Sequence, residues 1–314
     1  MNVRDQLLAL NDELRRLKAE GRRTVAVSEE SLAALRTAVA AAVATPEPAS
    51  TTNPAADAVP MNPGSPPSTA MPGAASKPAR WVAAASDNTA AVPSTPPVVK
   101  LPGGDKSTRW NALKEQVMND PVCRAHVRPG KKVVLGVGSL EASIFFCGEA
   151  PGAEEEVQGE PFVGPAGQLL TKMIAGMGLK REEVYIGNIM NWRPEMPAPS
   201  GVQYGNRPPT PEEMAYCLPY LRAQLEIVQP KLIVALGATA SGGLLGAGTF
   251  KTLGEIRSRW HAFGGVPLMV TYHPSYILRN PTNRSKRMIW EDLLQVMERA
   301  GLPISPKQRN YYLG

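Results

Sequence analysis

The chain has 314 residues, of which 34 are basic and 28 acidic, and it is 43% hydrophobic with 31 Pro and three Cys. Three scattered thiols argue against a disulfide framework, and no apolar run reaches the roughly 18–20 residues of a membrane span. The first residues lack the basic-then-apolar layout of a signal peptide, so a reducing, cytoplasmic setting is expected.

The N-terminal segment (1–44) contains VRDQLLALNDELRRLKAEG, which places Leu7, Leu10, Leu14 and Leu17 at helical spacing with charges on the other face. It reads as a helix that docks on its own domain, self-associates or binds a protein partner. Thirteen of the 31 Pro then fall between Pro46 and Pro102, among Ala, Ser and Thr. Such a composition cannot bury enough apolar surface to offset its ordering entropy, so 45–108 is expected to be a disordered linker. Residues 1–108 hold 11 of the basic and 10 of the acidic side chains, which leaves 23 and 18 for the remainder. Within that mildly basic remainder, Arg279, Arg284, Lys286 and Arg287 form a run without acids. A solvated face and a phosphate contact are both open to such a run.

From 109 to 302 short β-rich runs alternate with helical ones. KKVVLGVG, SIFFCGEAPG, EVYIGNIM, KLIVALG and VPLMVTYHP read as strands; QLLTKMIAGMG, the stretch opened by Thr210-Pro211-Glu212-Glu213, and SKRMIWEDLLQVMERAG read as helices. The alternation predicts a mostly parallel sheet with helices on both faces, and 303–314 reads as a tail. In such sheets reactive groups gather at the carboxyl ends of the strands. Three strand ends here carry polar residues out of character with their strands: Glu149 in GEAPG, Asn188 in GNIMNW and His273 in HPSYILRNP. An acid, an amide and an imidazole facing one crevice make a site-like set.

GEAPGAEEEVQGEPFVGPAGQLL, YIGNIMNWRP, NRPPTPEEMAYCLPYL and HPSYILRNP, in this order, resemble the motifs of family 4 uracil-DNA glycosylases over about 125–300. The resemblance implies a three-layer αβα fold around a mostly parallel four-stranded sheet, and hydrolysis of the N-glycosidic bond of uracil in DNA. A non-catalytic damage-binding paralogue, and a glycosylase for other altered bases, are the alternatives. Departure of a base leaves an oxocarbenium-like sugar, which a carboxylate stabilises while it aligns a water. Glu149 is the first candidate for that role and Glu155 the second, with Glu154 and Glu156 expected to be solvated. His273 would stabilise charge on the leaving base, and Asn188 can discriminate uracil from cytosine at one edge. By the same resemblance Gly148 and Ala150 line the base pocket and Phe162 stacks on the flipped base. Tyr276, Ile277 and Leu278 lie where the family inserts an apolar wedge into the emptied stack, with Ser275 beside them on the DNA, and Arg279 with Arg284, Lys286 and Arg287 follows as phosphate contacts. DNA as substrate implies a nucleoid-associated protein.

The family typically holds a [4Fe–4S] cluster on four Cys, and here the pattern departs. Cys217 occupies one such position, Trp192 stands where its partner would be, and a single Cys123 lies upstream. Cys147, inside its strand, reads as a small buried hydrophobe. No metal and no cofactor are therefore expected, with Trp192 and the insertion EMPAPSGVQYGN (195–206) filling the space.

Overall fold

A computed structural model describes residues 92–196, 203 and 205–313. The N-terminal helical segment and the linker up to residue 91 lie outside the described residues, as does most of the 195–206 insertion. Helix α1 (Lys106–Asn119) opens the described chain, with the Asp105 carboxylate capping it by accepting from Thr108 N at 2.7 Å. A short α2 (Pro121–Ala125) follows on an Asp120 cap. Val92, Val99 and Leu101 already pack against the core beneath these helices, so ordered chain begins ahead of residue 109.

The sheet has six strands in the order β1-β3-β2-β4-β6-β5. They are β1 (Val137–Gly138), β2 (Ile144–Gly148), β3 (Tyr185–Asn188), β4 (Leu232–Leu236), β5 (Trp260–Phe263) and β6 (Val266–Thr271). The inner four, β3-β2-β4-β6, are parallel, while β1 and β5 are antiparallel edges. Four strands therefore form the expected parallel centre, and the sheet is wider than four and mixed. The run KKVVLGVG yields only two strand residues, because Val134 donates its N–H to the Asn191 carbonyl at 2.8 Å instead of joining a ladder. Strand β5 comes back to β6 through Gly264 and Gly265 at φ +57° and +82°, a two-residue turn that demands positive φ.

Strands β2, β3 and β4 are buried at every position, as a sheet covered on both faces requires. One face packs Leu170, Ile174, Leu293 and Met297 of α4 (Pro165–Gly176) and α9 (Asn283–Ala300). The other packs Leu221, Val228 and Leu244 of α5 (Pro211–Val228) and α6 (Ala238–Leu245), with Ile256 of the short α7 (Leu253–Ile256). Helix α5 starts at a reciprocal cap: Thr210 Oγ1 accepts from Glu213 N at 3.2 Å, and Glu213 accepts from Thr210 N at 2.7 Å. The stretch 303–313 is docked on the domain. Helix α10 (Pro306–Arg309) is tied to α9 by Trp290 Nε1–H to the Gln308 carbonyl at 2.6 Å and by Arg287 to the Arg309 carbonyl at 2.7 Å. No helix among the described residues is long and apolar enough to cross a membrane.

The parallel register decides where chemistry can happen. Gly148 lies opposite Asn188, Cys147 opposite Ala235, and Leu236 opposite Thr271. The residues that follow these strands therefore emerge side by side at one edge of the sheet.

Candidate active site

At that edge a cleft of about 530 Å3 is lined by Glu149, Phe162, Asn188, Asn206 and His273, with Ala150, Gly237 and Arg279 at its walls. Its floor exists because residue 148 is Gly. A Cβ there would sit 2.3 Å from Asn188 Oδ1 and 2.5 Å from Phe162 Cζ, so any side chain would fill the space. Phe162 itself is buried at φ +55°, a conformation that costs a non-Gly residue free energy and persists only when its surroundings impose it. Gly167 allows it: a Cβ at 167 would lie 1.9 Å from the Phe162 carbonyl oxygen.

The loop between β2 and α4 carries the short α3 (Ala153–Gln158). Glu155 fastens this loop, for its two oxygens accept from Gly152 N (3.1 Å), Val163 N (3.1 Å) and Gly164 N (3.0 Å). Its carboxylate is thus committed to backbone amides and shapes the cleft, which departs from its expected part as a second reacting acid. Glu156 departs too. It is buried and pairs with Arg193 at 2.8 Å and with Arg128, joining the motif loop to the NWRP segment, whereas a solvated side chain was expected. Glu154 is exposed, as expected, on the cleft side.

Glu149 has no comparable backbone anchor among the described residues. Burial pushes its carboxyl above the usual range, opposed in part by a hydrogen bond from Thr239 in the first turn of α6. Asn188 is only 6% exposed, and its Oδ1 has no partner among the described residues. A buried acceptor without a donor is costly, so this atom is poised to receive one from a bound molecule. His273 caps the short helix α8 (Pro274–Arg279): its Nδ1 accepts from Ser275 N at 3.2 Å and lies 2.8 Å from Ser275 Oγ. An Nδ1 that accepts from a backbone amide leaves the ring proton on Nε2. Burial, and secondarily the Arg279 charge, lower the imidazole pKa to about 4, so the ring is a neutral donor at physiological pH. Its centroid lies 5.6 Å from that of Phe162.

Asn206 is the cleft residue that sequence reasoning missed. Arg193 Nε donates to Asn206 Oδ1 at 2.8 Å, and because a guanidinium cannot accept, the Asn206 NH2 must face the other way, toward Gly152. The spacing that would have revealed it is stretched by the insertion at 195–206.

Of the expected wedge, Leu278 alone is a large exposed apolar residue, at 49%. Ile277 is buried in the core, and Tyr276 stacks on Tyr272 at 4.3 Å and 13°. Neither of these two is free to enter a base stack as the domain stands. Ser275 orients His273, and Arg279 borders the cleft. Arg284 is exposed with no ion pair among the described residues. Arg287 is engaged with Glu291 and with the carbonyls of Arg309 and Tyr311, and Lys286 lies 5.8 Å from the Tyr312 ring. Those two hold the C-terminal stretch, which removes Arg287 in particular from the expected phosphate set.

Cys123, Trp192 and Cys217 come together, all fully buried, in one core cluster under α1, α2 and α5. The contact with Cys217 and burial raise the Cys123 thiol far above its ordinary pKa, so it is protonated. Trp192 stacks on His126 at 4.9 Å and 9°, and Asp120 accepts from the hydroxyls of Tyr216 (2.9 Å) and Tyr220 (2.8 Å). An indole N–H cannot ligate iron, and among the described residues no three His, Cys, Asp or Glu side chains could hold a metal ion. Two thiols, that of Cys123 protonated, beside a stacked indole do not fit a cluster that needs four thiolates. Cys147 is buried with its thiol pushed up to about 12, in keeping with its reading as a small hydrophobe.

Comparison with known proteins agrees with this geometry. The family model described as the Uracil DNA glycosylase superfamily matches residues 135–294. The Type-4 uracil-DNA glycosylase of Thermotoga maritima is 41% identical over 184 residues, 58% of this chain and 89% of that protein. The Type-4 enzymes of Archaeoglobus fulgidus and Pyrobaculum aerophilum are each 38% identical, over 55% of this chain and 85% and 87% of their own lengths.

Proposed function

The chain belongs to the uracil DNA glycosylase superfamily, and from that membership we propose that it is a DNA-repair glycosylase that hydrolyses the N-glycosidic bond of uracil in DNA and leaves an abasic site. The observation that carries the proposal is one cleft in which the ends of β2, β3 and β6 and the loop after β2 bring together a carboxylate, an amide whose acceptor is unpaired among the described residues, a neutral imidazole and an aromatic ring.

A base inside a duplex cannot reach this cleft, so it enters flipped out, its face against Phe162. Asn188 Oδ1 receives the N3–H of uracil. Cytosine has no hydrogen at that position and would leave the acceptor unsatisfied, which penalises it by about 1–3 kcal/mol. As the bond from C1′ to N1 lengthens, negative charge spreads onto the carbonyl oxygen of the ring carbon beside N1, and the His273 Nε2–H stabilises it without transferring its proton. The positive charge left on the sugar faces the Glu149 carboxylate. A water held by Glu149, with the Asn206 NH2 as a second polar contact, adds its oxygen to C1′ and passes its proton to Glu149. The departing uracil anion then takes a proton from solvent. Glu155 acts indirectly, by holding the loop that presents Glu149.

No metal takes part in this scheme, and the donor set around Cys123, Trp192 and Cys217 supports a protein without the iron–sulfur cluster. DNA as substrate implies association with the nucleoid in the cytoplasm. The Leu7/Leu10/Leu14/Leu17 face, outside the described residues, is proposed to bind a protein partner or a second copy. Purified protein incubated with oligonucleotides carrying U opposite G, U opposite A, single-stranded U or hypoxanthine, followed by alkali cleavage, tests the assignment. Strand breaks confined to the uracil substrates support it, and breaks at hypoxanthine alone would replace uracil with a deaminated purine.

A further inference from the structure

Between Asp120 and Glu141 the chain carries Arg124, Arg128, Lys131 and Lys132 and no acid. All four line a single groove of about 330 Å3 with an apolar floor of Met118, Val127 and Val133. Arg128 is paired with Glu156, and Lys132 Nζ reaches the Gln158 carbonyl at 3.3 Å. Arg124, which is exposed, and Lys131, which is half-buried, have no side-chain partner among the described residues.

The groove adjoins the cleft through α3. On one side of this helix Glu154 and Glu155 line the cleft; on the other, Lys132 N donates to the Glu156 carbonyl at 2.7 Å, and the Lys132 stem covers Gly159, 2.9 Å from where its Cβ would be. A helix with its side chains is about 10–12 Å across, and phosphates of one strand advance about 3.4 Å along the duplex axis per step. A strand that crosses α3 from the cleft to the groove therefore spans about three phosphate steps. Meanwhile the basic run after the wedge is partly engaged with the C-terminal stretch, through Arg287 and Lys286.

We infer that the groove lined by Arg124, Lys131 and Lys132 is a second contact for the DNA backbone, holding phosphates of a strand that leaves the cleft across α3. This rests on the proposed action on DNA. The cations take the phosphate oxygens, the apolar floor takes sugar faces, and no group is placed to read a base edge, so the contact is independent of sequence.

The test is the double variant Arg124→Gln/Lys131→Gln. With a uracil-free duplex of about 30 base pairs, its binding should weaken about tenfold near 0.1 M salt, and the slope of log K against log salt should fall by about 1.8, two contacts at about 0.9 each. With uracil placed about two base pairs from one end or the other, the loss in kcat/KM should vanish at the end where no backbone reaches the groove and persist at the opposite end. Excision by the wild-type protein on the same substrates shows separately whether the glycosylase reading holds. An unchanged melting temperature, and recovery of the slope in Arg124→Lys/Lys131→Arg, exclude misfolding as the cause. A wild-type slope and affinity in the double variant overturn the inference, including the case in which the variant loses an acidic protein partner instead. A penalty that ignores the position of the uracil overturns it as well.

Discussion

Glu149→Gln should separate the carboxylate from every other group in the cleft. The substitution keeps the shape and removes the charge that faces the developing sugar cation, in a setting that is already partly desolvated. Removing one such electrostatic group from a pre-organised site costs about 2.7–4 kcal/mol, a loss of about 10²–10³ in rate. The pH dependence supplies a second, signed expectation. Excision requires ionised Glu149, and burial raises its pKa above 4.5, so the rate should fall as pH drops through a value above the ordinary carboxylate one. His273 titrates only near 4, so it stays a neutral donor across that limb. Single-turnover excision with enzyme in excess, followed from about pH 4.5 to 8, should show one acid limb in the wild type and none in Glu149→Gln. A limb near the ordinary His value that survives in the variant would refute the assignment of both residues, as would a variant rate within about threefold of wild type.

Asn188→Asp keeps an acceptor for N3–H but replaces the amide NH2, the donor available to the neighbouring uracil carbonyl, by an oxygen that repels it, so uracil excision should fall by about 10–100-fold while binding of uracil-free DNA persists; an unchanged kcat/KM would show that Asn188 does not read the base. Protein purified under anaerobic conditions should contain no stoichiometric iron and show no charge-transfer absorption, given two Cys beside Trp192 where four thiolates are needed, and one cluster per chain would contradict the reading of that core. His273 sets a stability trend: its pKa falls from 6.5 to about 4 on folding, so the unfolded chain binds a proton that the folded one refuses. Stability should be full above 6.5 and decline as pH is lowered toward 4. His126, also lowered by burial, contributes in the same sense, so urea titrations of His273→Gln should show a shallower decline, not a flat one.

The parallel strands were legible because apolar runs such as SIFFC and KLIVAL need no partner information to be read as buried on both faces. Strand β5 was not, since WHAF is short and half-exposed, although the Gly264-Gly265 pair after it is a hairpin signal. Glu149, Asn188 and His273 could be placed at strand ends from sequence because register in a parallel sheet aligns those ends. The run Glu154-Glu155-Glu156 could not be sorted that way. Consecutive residues of a helix point about 100° apart, so the same side chain three times over meets the cleft, the loop amides and a buried Arg193. Ile277 likewise reads as part of a wedge until packing against the α4 and α9 side of the core removes it. The tautomer of His273 depends on a Ser275 amide and could not be read from composition at all.

The most direct test of the central claim is to quantify free uracil and abasic sites released from one oligonucleotide with a single uracil. Equimolar amounts of the two, formed by the wild type and lowered together by about 10²–10³ in Glu149→Gln, are what a hydrolytic glycosylase built on this cleft predicts. Tight binding of the oligonucleotide by the wild type, with the uracil still attached to its sugar, would contradict it.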